Sequence, residues 1–539
     1  MIQDPISASD RGRRLLPHVI DGLALSDPTR VFVSIPLSNN LQDGFQDITY
    51  KDFARSIDKC SWWMEENLGR SETFETLNYV GPQDLRYIIL LLAAIKTGYQ
   101  MFFNSPQNSL EGHIALLESL ECKILLVPET LPAITQSLLS KRQMRALKIQ
   151  NLQDLILDYF VPSYPYTKTF GQARYEPFVV LHTSGSTGTQ KPIILTHGTI
   201  SQHDTFLLPP LSGHQPITLS LYQNARVFIG LGLFHSAAIC FTSFCIYYTT
   251  TIVLPPPIPM TPESSILTLI AKTPEYLINI KNLRYLNYGG GPLPAEIGNI
   301  LKLHTHLFAH FGATETGFYA LQITGPEDWE YMKFSPTMGI ELRLFTKDLY
   351  ELCFIRQPEL ALSQGVFSTF PYLDEYSSKD LFSKHPNKEG LWHFEGRTDD
   401  MIICSTGAKI NPMGMEGFLN AHPAVEVAIV GGSGRMRGYL LVEARDPPQD
   451  EKERDALIEK LWDTIEKANQ NEQIHGKITK ELILFTKAEK PMVRAGKGTV
   501  LRKLTEELYR EELNDLYGAF EEQFPYSCRS KNPSLSFLL

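Results

Sequence analysis

The stretch that most constrains this chain is residues 181–192, Leu-His-Thr-Ser-Gly-Ser-Thr-Gly-Thr-Gln-Lys-Pro. It lies between two short apolar, β-branched runs, 177–182 and 193–197, and so reads as a loop joining strands. Gly185 and Gly188 can take φ > 0, which lets successive backbone N–H groups converge on one anion. Thr183, Ser184, Ser186 and Thr187 add hydroxyl donors, and Lys191 adds a fixed positive charge. The chemistry is that of a phosphate cradle. It is not a Walker A loop, which would need glycine where Gln190 stands, and Pro192, Ile193 and Ile194 favour an extended chain after it over a helix. A flexible Ser/Gly linker seldom ends in Lys-Pro or lies between apolar strands.

A chain of 539 residues exceeds one ordinary domain. Its net charge of −10, without a basic stripe, argues against nucleic acid as the main partner. Seven scattered cysteines with no Cys-x-x-Cys pair fit a reducing compartment, and residues 1–14 lack the apolar core of a secretory signal, so a cytoplasmic location is expected. Residues 227–254 hold no Asp, Glu, Lys or Arg. Glycines, a Thr run and prolines 255–257 interrupt or close that stretch, which reads as a buried helix and strand and not as a membrane span.

Periodicity predicts helices over 51–68, 84–97 (ended by Gly98), 110–120, 235–248, 455–469 and 500–513. Strands are expected at 99–103, 123–127, 251–254, 283–288, 305–310 and 482–485. Such alternation implies α/β layers with much of the sheet buried. A polar turn, Gly396-Arg397-Thr398-Asp399-Asp400, marks a change of character. It suggests an N-terminal core (1–396), a smaller α+β domain (397–519, with its hinge at 397–400) and a tail (520–539).

The loop at 183–192 resembles, residue for residue, the phosphate-binding signature of the adenylate-forming superfamily, which includes acyl-CoA synthetases, luciferases and nonribosomal-peptide-synthetase adenylation domains. Similar motifs follow in family order from about residue 15 to about 517. The resemblance implies a large layered α/β adenylation domain with a mobile C-terminal lid. It also implies a reaction that joins a carboxylate to the α-phosphorus of ATP, with Mg²⁺, and then usually hands the acyl group to a pantetheine thiol. By that resemblance Thr314 meets the nucleotide phosphate, Glu315 holds Mg²⁺, and Phe311 stacks on adenine where the family usually has tyrosine. Asp380 would grip the ribose hydroxyls, although Ser378-Lys379 replaces the usual Thr-Gly before it. Arg397 would meet the nucleotide, Asp399 would be the hinge, and Lys497 the mobile catalytic lysine. Residues 183–188 and Lys191 would hold the phosphates.

Within the superfamily the likeness is greatest to adenylation domains of fungal carboxylic acid reductases of the nonribosomal-peptide-synthetase-like type. It is carried by Arg14-Leu15-Leu16-Pro17, Asp380-Leu381-Phe382, Gly396 to Asp400 and Gly496-Lys497-Gly498-Thr499. No carrier attachment motif or reductase follows, so a free-standing activator and a piece of a longer protein both stay open, as does the acceptor: coenzyme A or a carrier protein in trans. A catalytically idle nucleotide-binding relative is the alternative from another class.

Position relative to these motifs assigns His235, Ser236, Ile239, Asn287, Gly289, His310, Phe318 and Tyr319 to the acid pocket. Adenylation domains for α-amino acids typically place aspartate where His235 stands, and a buried ammonium without a carboxylate is costly. The missing side chain of Gly289, the aromatic walls and the polar His235, Asn287 and His310 favour a hydroxylated aryl or similar polyketide-derived acid over an alkyl one. His304, His306 and His310 share one strand face, but no carboxylate or cysteine nearby completes a metal set.

Overall fold

The computed structural model describes residues 7–106, 108–157, 159–183, 191–211, 213–256, 266–346, 348–405, 409–470, 477–494 and 500–523. It is a mixed α/β protein with a large N-terminal domain and a smaller C-terminal one.

The large domain is built on a six-stranded sheet with the spatial order Arg145–Lys148, Ile124–Val127, Thr76–Tyr79, Gln100–Phe103, Pro177–Thr183, Lys191–Thr196. Its first five strands run parallel, so their carboxyl ends share one edge, where open α/β sheets bind ligands. Pro177–Thr183 turns back antiparallel into Lys191–Thr196 with Thr183 opposite Lys191, so the glycine-rich loop leaves from that edge. The helix Tyr50–Leu68 starts with a reciprocal Thr49–Asp52 capping box. It packs on Arg86–Thr97, a helix buried along its whole length and ended by Gly98 at φ 83°. Lys96, 1% exposed, is tolerated there because Asp58 at 2.8 Å and Asp21 at 2.9 Å pair with it. At the N-terminus, Arg11 at 3.2 Å, the Gly12 N–H at 2.9 Å and Arg14 all meet the buried carboxylate of Asp204. They fix the start of the helix Leu16–Ser26.

The uncharged run at 227–254 is core, as its composition requires. It holds the helix Ser236–Tyr247 and the strand Thr251–Val253, which joins a second sheet ordered Phe45–Thr49, Val31–Pro36, Thr251–Val253, Arg226–Phe228. Tyr285–Tyr288 and His306–Ala309 form a separate parallel pair. A five-stranded antiparallel sheet follows: Tyr331–Met332, Trp392–Arg397, Glu375–Lys384, Leu349–Ile355 and Ile340–Thr346.

In the C-terminal domain three strands, Val425–Gly431, Tyr439–Ala444 and Ile483–Phe485, separate two cores by strict alternation. Ala428, Val430, Leu440 and Val442 face the helices Pro412–Asn420 and Glu451–Asn469. Ile429, Tyr439 and Leu441 face the C-terminal helices. The single helix expected at 500–513 is two, Arg502–Leu508 and Arg510–Gln523, because the chain leaves helical geometry at Tyr509 (φ −98°, ψ 16°). The second runs past the boundary expected at 520, since Phe520 is buried against Leu513 and Tyr517. Among the described residues no helix is long and apolar enough to cross a membrane.

Candidate active site

Of the residues singled out in the sequence, Glu315, Asp380, Arg397 and Phe311 come together around the five-stranded sheet, while Thr183 and Lys191 stand at the carboxyl edge of the large sheet. Ser184, Gly185, Ser186, Thr187, Gly188 and Lys497 lie outside the described residues; Thr183 and Lys191 pair at the root of the loop.

Gly312–Ala313 and Gly317–Phe318 form a very tight antiparallel pair that presents Thr314, Glu315 and Thr316 at its tip. Gly312 is required there, because a Cβ would come within 2.3 Å of the Gly317 carbonyl oxygen. The tip is held from behind. Gln202, buried, donates from Nε2 to the Thr316 carbonyl at 2.6 Å and accepts at Oε1 from the Gly365 N–H at 2.9 Å. Thr369 Oγ1 donates to the Glu315 carbonyl at 3.1 Å and lies 2.8 Å from Thr199 Oγ1, which is 3.0 Å from Thr196 Oγ1. Thr196 ends the strand that begins at Lys191, so a continuous set of hydrogen bonds ties the acidic tip to the strand leaving the glycine-rich loop. Nothing in local sequence marks Gln202 or Thr369 for this task. In front, Thr314 Oγ1 is 3.2 Å from Ser236 Oγ, at the first turn of the helix that His235 precedes.

Phe311 enters an aromatic group with Tyr319 (5.4 Å), Phe382 (5.4 Å) and Phe394 (5.0 Å). Asp380, 4% exposed, pairs across the strands with Arg397, whose Nη1 lies 3.2 Å from its Oδ1. Burial raises the Asp380 carboxyl from 3.8 to about 6 against the opposing pull of Arg397. Glu315 also acts on Asp380, and burial first, then Glu315, raise the pKa of the Tyr376 phenol, which sits among Glu315, Arg397 and Asp380. Tyr376, stacked on Phe370 at 5.5 Å, was not foreseen as a member of this group.

Lys379 adopts φ 64°, left-handed backbone that glycine takes freely and lysine does not. The side chain is not idle, since Nζ reaches Asp399 Oδ1 at 3.1 Å. Asp399 follows directly on the strand Trp392–Arg397, within the 3₁₀ turn Thr398–Asp400, and Asn411 Nδ2 of the small domain donates to the Glu395 carbonyl at 2.6 Å.

The expected acid pocket is partly reassembled. Asn287, Gly289 and His310 occupy one face of the two parallel strands and their extensions, and the Phe318 ring lies 5.9 Å from His310. Two residues do not join them. Ile239 points to the opposite side of its helix and lines a small internal space with Leu16, Ile88, Leu91 and Phe178. Phe241 takes the inward position instead, 6.2 Å from His310 and 6.0 Å from Phe318. Tyr319 follows Phe318 and therefore points the other way, onto Phe311, Phe334 and Phe354. Tyr222, absent from the expected set, packs edge-on to His310 at 6.2 Å.

Glu315 fits a Mg²⁺ site of the kind that uses one carboxylate and completes its shell with substrate phosphates and water: a hard oxygen on a braced tip. Among the described residues no group of three or more His, Cys, Asp or Glu is placed to hold a metal by itself.

Comparisons with known proteins bear on the family and the fold. Residues 26–346 match the model of the AMP-binding enzyme family, and residues 399–521 that of the AMP-binding enzyme C-terminal domain. A carboxylic acid reductase of Neurospora crassa is 32% identical over 94% of this chain and 51% of its own length. The isocyanide synthase–NRPS hybrid crmA of Aspergillus fumigatus is 31% identical over 95% of this chain and 34% of its own. Adenylate-forming reductase Nps11 of Serpula lacrymans is 28% identical over 95% and 50%. The chain thus spans between about a third and a half of these relatives. In fold it is similar to O-succinylbenzoate coenzyme A synthetase of Bacillus subtilis, solved with ATP and a magnesium ion, with a TM-score of 0.65 at 16% identity over 91% of this chain and 99% of that one. Its matched domains, its fungal adenylate-forming relatives and its fold agree: the chain belongs to the AMP-binding enzyme family.

Proposed function

We propose that this chain activates a carboxylic acid with ATP, forming an acyl-adenylate and releasing pyrophosphate, and that the acyl group then passes to a pantetheine thiol of coenzyme A or a carrier protein. The observation that carries the reading is the convergence of Glu315, Asp380 and Arg397 beside the Phe311 aromatic group. The fungal relatives support it by name, as adenylate-forming and carboxylic acid reductases.

On this reading Phe311 stacks on adenine and Asp380 accepts from the ribose hydroxyls. Residues 183–188 and Lys191 orient the phosphates. Glu315 would hold Mg²⁺, which when bound neutralises phosphate charge. Thr314, linked to Ser236, stands where the phosphate and the acid meet. Lys497 brings a further positive charge to the carboxylate and α-phosphate, and holding both reactants in one orientation supplies much of the acceleration. The small domain, from about residue 397, turns about Asp399 between the two half-reactions. An aryl or polyketide-derived acid suits the Tyr222, Phe241 and Phe318 walls.

The test is exchange of labelled pyrophosphate into ATP across a broad panel of aryl and alkyl acids. Exchange that depends on one of these acids is the expected result. No exchange with any acid, from folded protein that binds ATP by calorimetry, would overturn the proposal in favour of an idle nucleotide-binding relative.

A further inference from the structure

The contacts behind the acidic tip close into a ring that passes through the N-terminal segment, far from the tip in sequence. It begins at three consecutive residues of the 3₁₀ segment Gln202–Leu207. Gln202 holds the Thr316 carbonyl at 2.6 Å. His203, fully buried, accepts at Nε2 from the Phe318 N–H at 3.3 Å, on the returning strand of the same tip. A backbone N–H can only donate, so this bond needs a bare nitrogen, and burial keeps one there by lowering the imidazole to about 3. Both side chains press on Gly317, where a Cβ would fall 2.5 Å from Gln202 Nε2 and 3.1 Å from His203 Nε2.

Asp204 comes next and is also fully buried. Arg11 Nη1 at 3.2 Å, Arg14 Nε at 2.9 Å and the Gly12 N–H at 2.9 Å all donate to its carboxylate. A Cβ on Gly12 would come within 2.6 Å of Thr205 Cγ2 and 3.1 Å of Leu362 Cβ, so the segment lies flush against both. The Arg14 carbonyl accepts from the Tyr247 hydroxyl at 2.9 Å, and the Tyr248 hydroxyl donates to the His203 carbonyl at 3.1 Å. Tyr247 ends the helix whose first residue, Ser236, stands 3.2 Å from Thr314 on the tip itself. The ring therefore runs from the tip through 202–204, residues 11–14 and this helix, and back to the tip.

A buried carboxylate gripped by two guanidinium groups is a costly way to hold a segment down, since apolar residues of similar volume do so at least as well. What directed, charge-assisted bonds add is one fixed position. Here that position is passed to Gln202 and His203, the two neighbours that hold Thr316 and Phe318.

We propose that residues 11–14 are a positioning element of the active site: acting through Asp204 and His203, Arg11 and Arg14 set the tip that carries Glu315 and the wall formed by Phe318. This rests on the reading above only in taking Glu315 as the Mg²⁺ ligand.

The experiment is calorimetry of AMP, and of ATP with and without Mg²⁺, on the full chain and on His203→Leu, His203→Gln, Arg11→Met and the double variant of Arg11→Met with His203→Leu. Circular dichroism and thermal melts serve as folding controls. Mg²⁺ should tighten ATP binding by the wild type. His203→Leu should cut that gain about tenfold and Arg11→Met about threefold, with AMP affinity within about twofold of the wild type. His203→Gln, which keeps an acceptor, should retain most of the gain, and the double variant should be no worse than His203→Leu, because both act on one element. If His203→Leu does not fold, Arg11→Met, which leaves Arg14 and Gly12 on Asp204, carries the test. A gain unchanged in both single variants, AMP binding lost in step with it, no rescue by glutamine or additive losses in the double variant overturns this inference and leaves the proposed function standing. A wild type whose ATP affinity ignores Mg²⁺ overturns it too. Absence of pyrophosphate exchange with any acid overturns the proposed function alone, because the calorimetry needs only nucleotide and Mg²⁺.

Discussion

Asp380→Asn should make the protein more stable at neutral pH while weakening its hold on nucleotide. The carboxylate is 4% exposed, and burial raises its pKa from 3.8 to about 6 despite Arg397 at 3.2 Å. Because the folded-state value lies above the unfolded one, Asp380 favours folding only while protonated. That contribution is complete below pH 3.8, fades up to about 6, and is absent at pH 8. The rise corresponds to roughly 3 kcal/mol of cost for the ionised group at pH 8, and about half of that at pH 5, where the folded carboxyl is mostly protonated. Asparagine keeps the shape without the charge, and Arg397, 41% exposed, can be hydrated without its partner. Thermal melts across pH 5–8 should show the variant gaining on the wild type by a few °C, with the margin widening as pH rises. Calorimetry should show AMP affinity of the wild type falling as pH drops through about 6, and weak, pH-independent binding by the variant. A variant less stable at pH 8, or a margin that does not change with pH, would refute the assignment of a carboxylate kept at a cost for ligand binding.

Two further outcomes follow from the bracing of the site. Gln202→Leu leaves the Thr316 carbonyl and the Gly365 N–H without partners, each at about 1–3 kcal/mol. The melting temperature should fall by several °C and the Mg²⁺ concentration needed for half-maximal exchange should rise, whereas an unchanged Mg²⁺ dependence would separate Gln202 from Glu315. Lys379→Gly relieves a left-handed lysine, at about 1 kcal/mol, and removes an exposed ion pair to Asp399 worth at most about 1 kcal/mol. The net change in melting temperature should be within about 2 °C, with the ratio of thioester to adenylate formation raised as Asp399, the proposed hinge, is freed. A large loss of stability would contradict the strain argument.

The primary structure alone determined the order of the chemical parts, because each is a local pattern. Glycine spacing with hydroxyls and a lysine makes the loop at 183–192, and Ala-Thr-Glu makes the acidic tip. It also determined most elements around the sheet, including the Gly98 stop and the buried run at 227–254, since their periodicity or charge pattern is unambiguous. What it did not carry was rotational phase. The helix Ser236–Tyr247 is apolar on every side, so nothing in its sequence says that Phe241 and not Ile239 turns toward His310. Phe318 and Tyr319 are both aromatic neighbours on an extended segment, and only packing assigns one to each face. Gln202 lies 114 and 163 residues from Thr316 and Gly365, and Lys379 lies 20 from Asp399, while Tyr222 and Tyr376 likewise meet residues of other elements. Such contacts exist only once the sheets are assembled, so the specificity and bracing of the site were decided by tertiary structure.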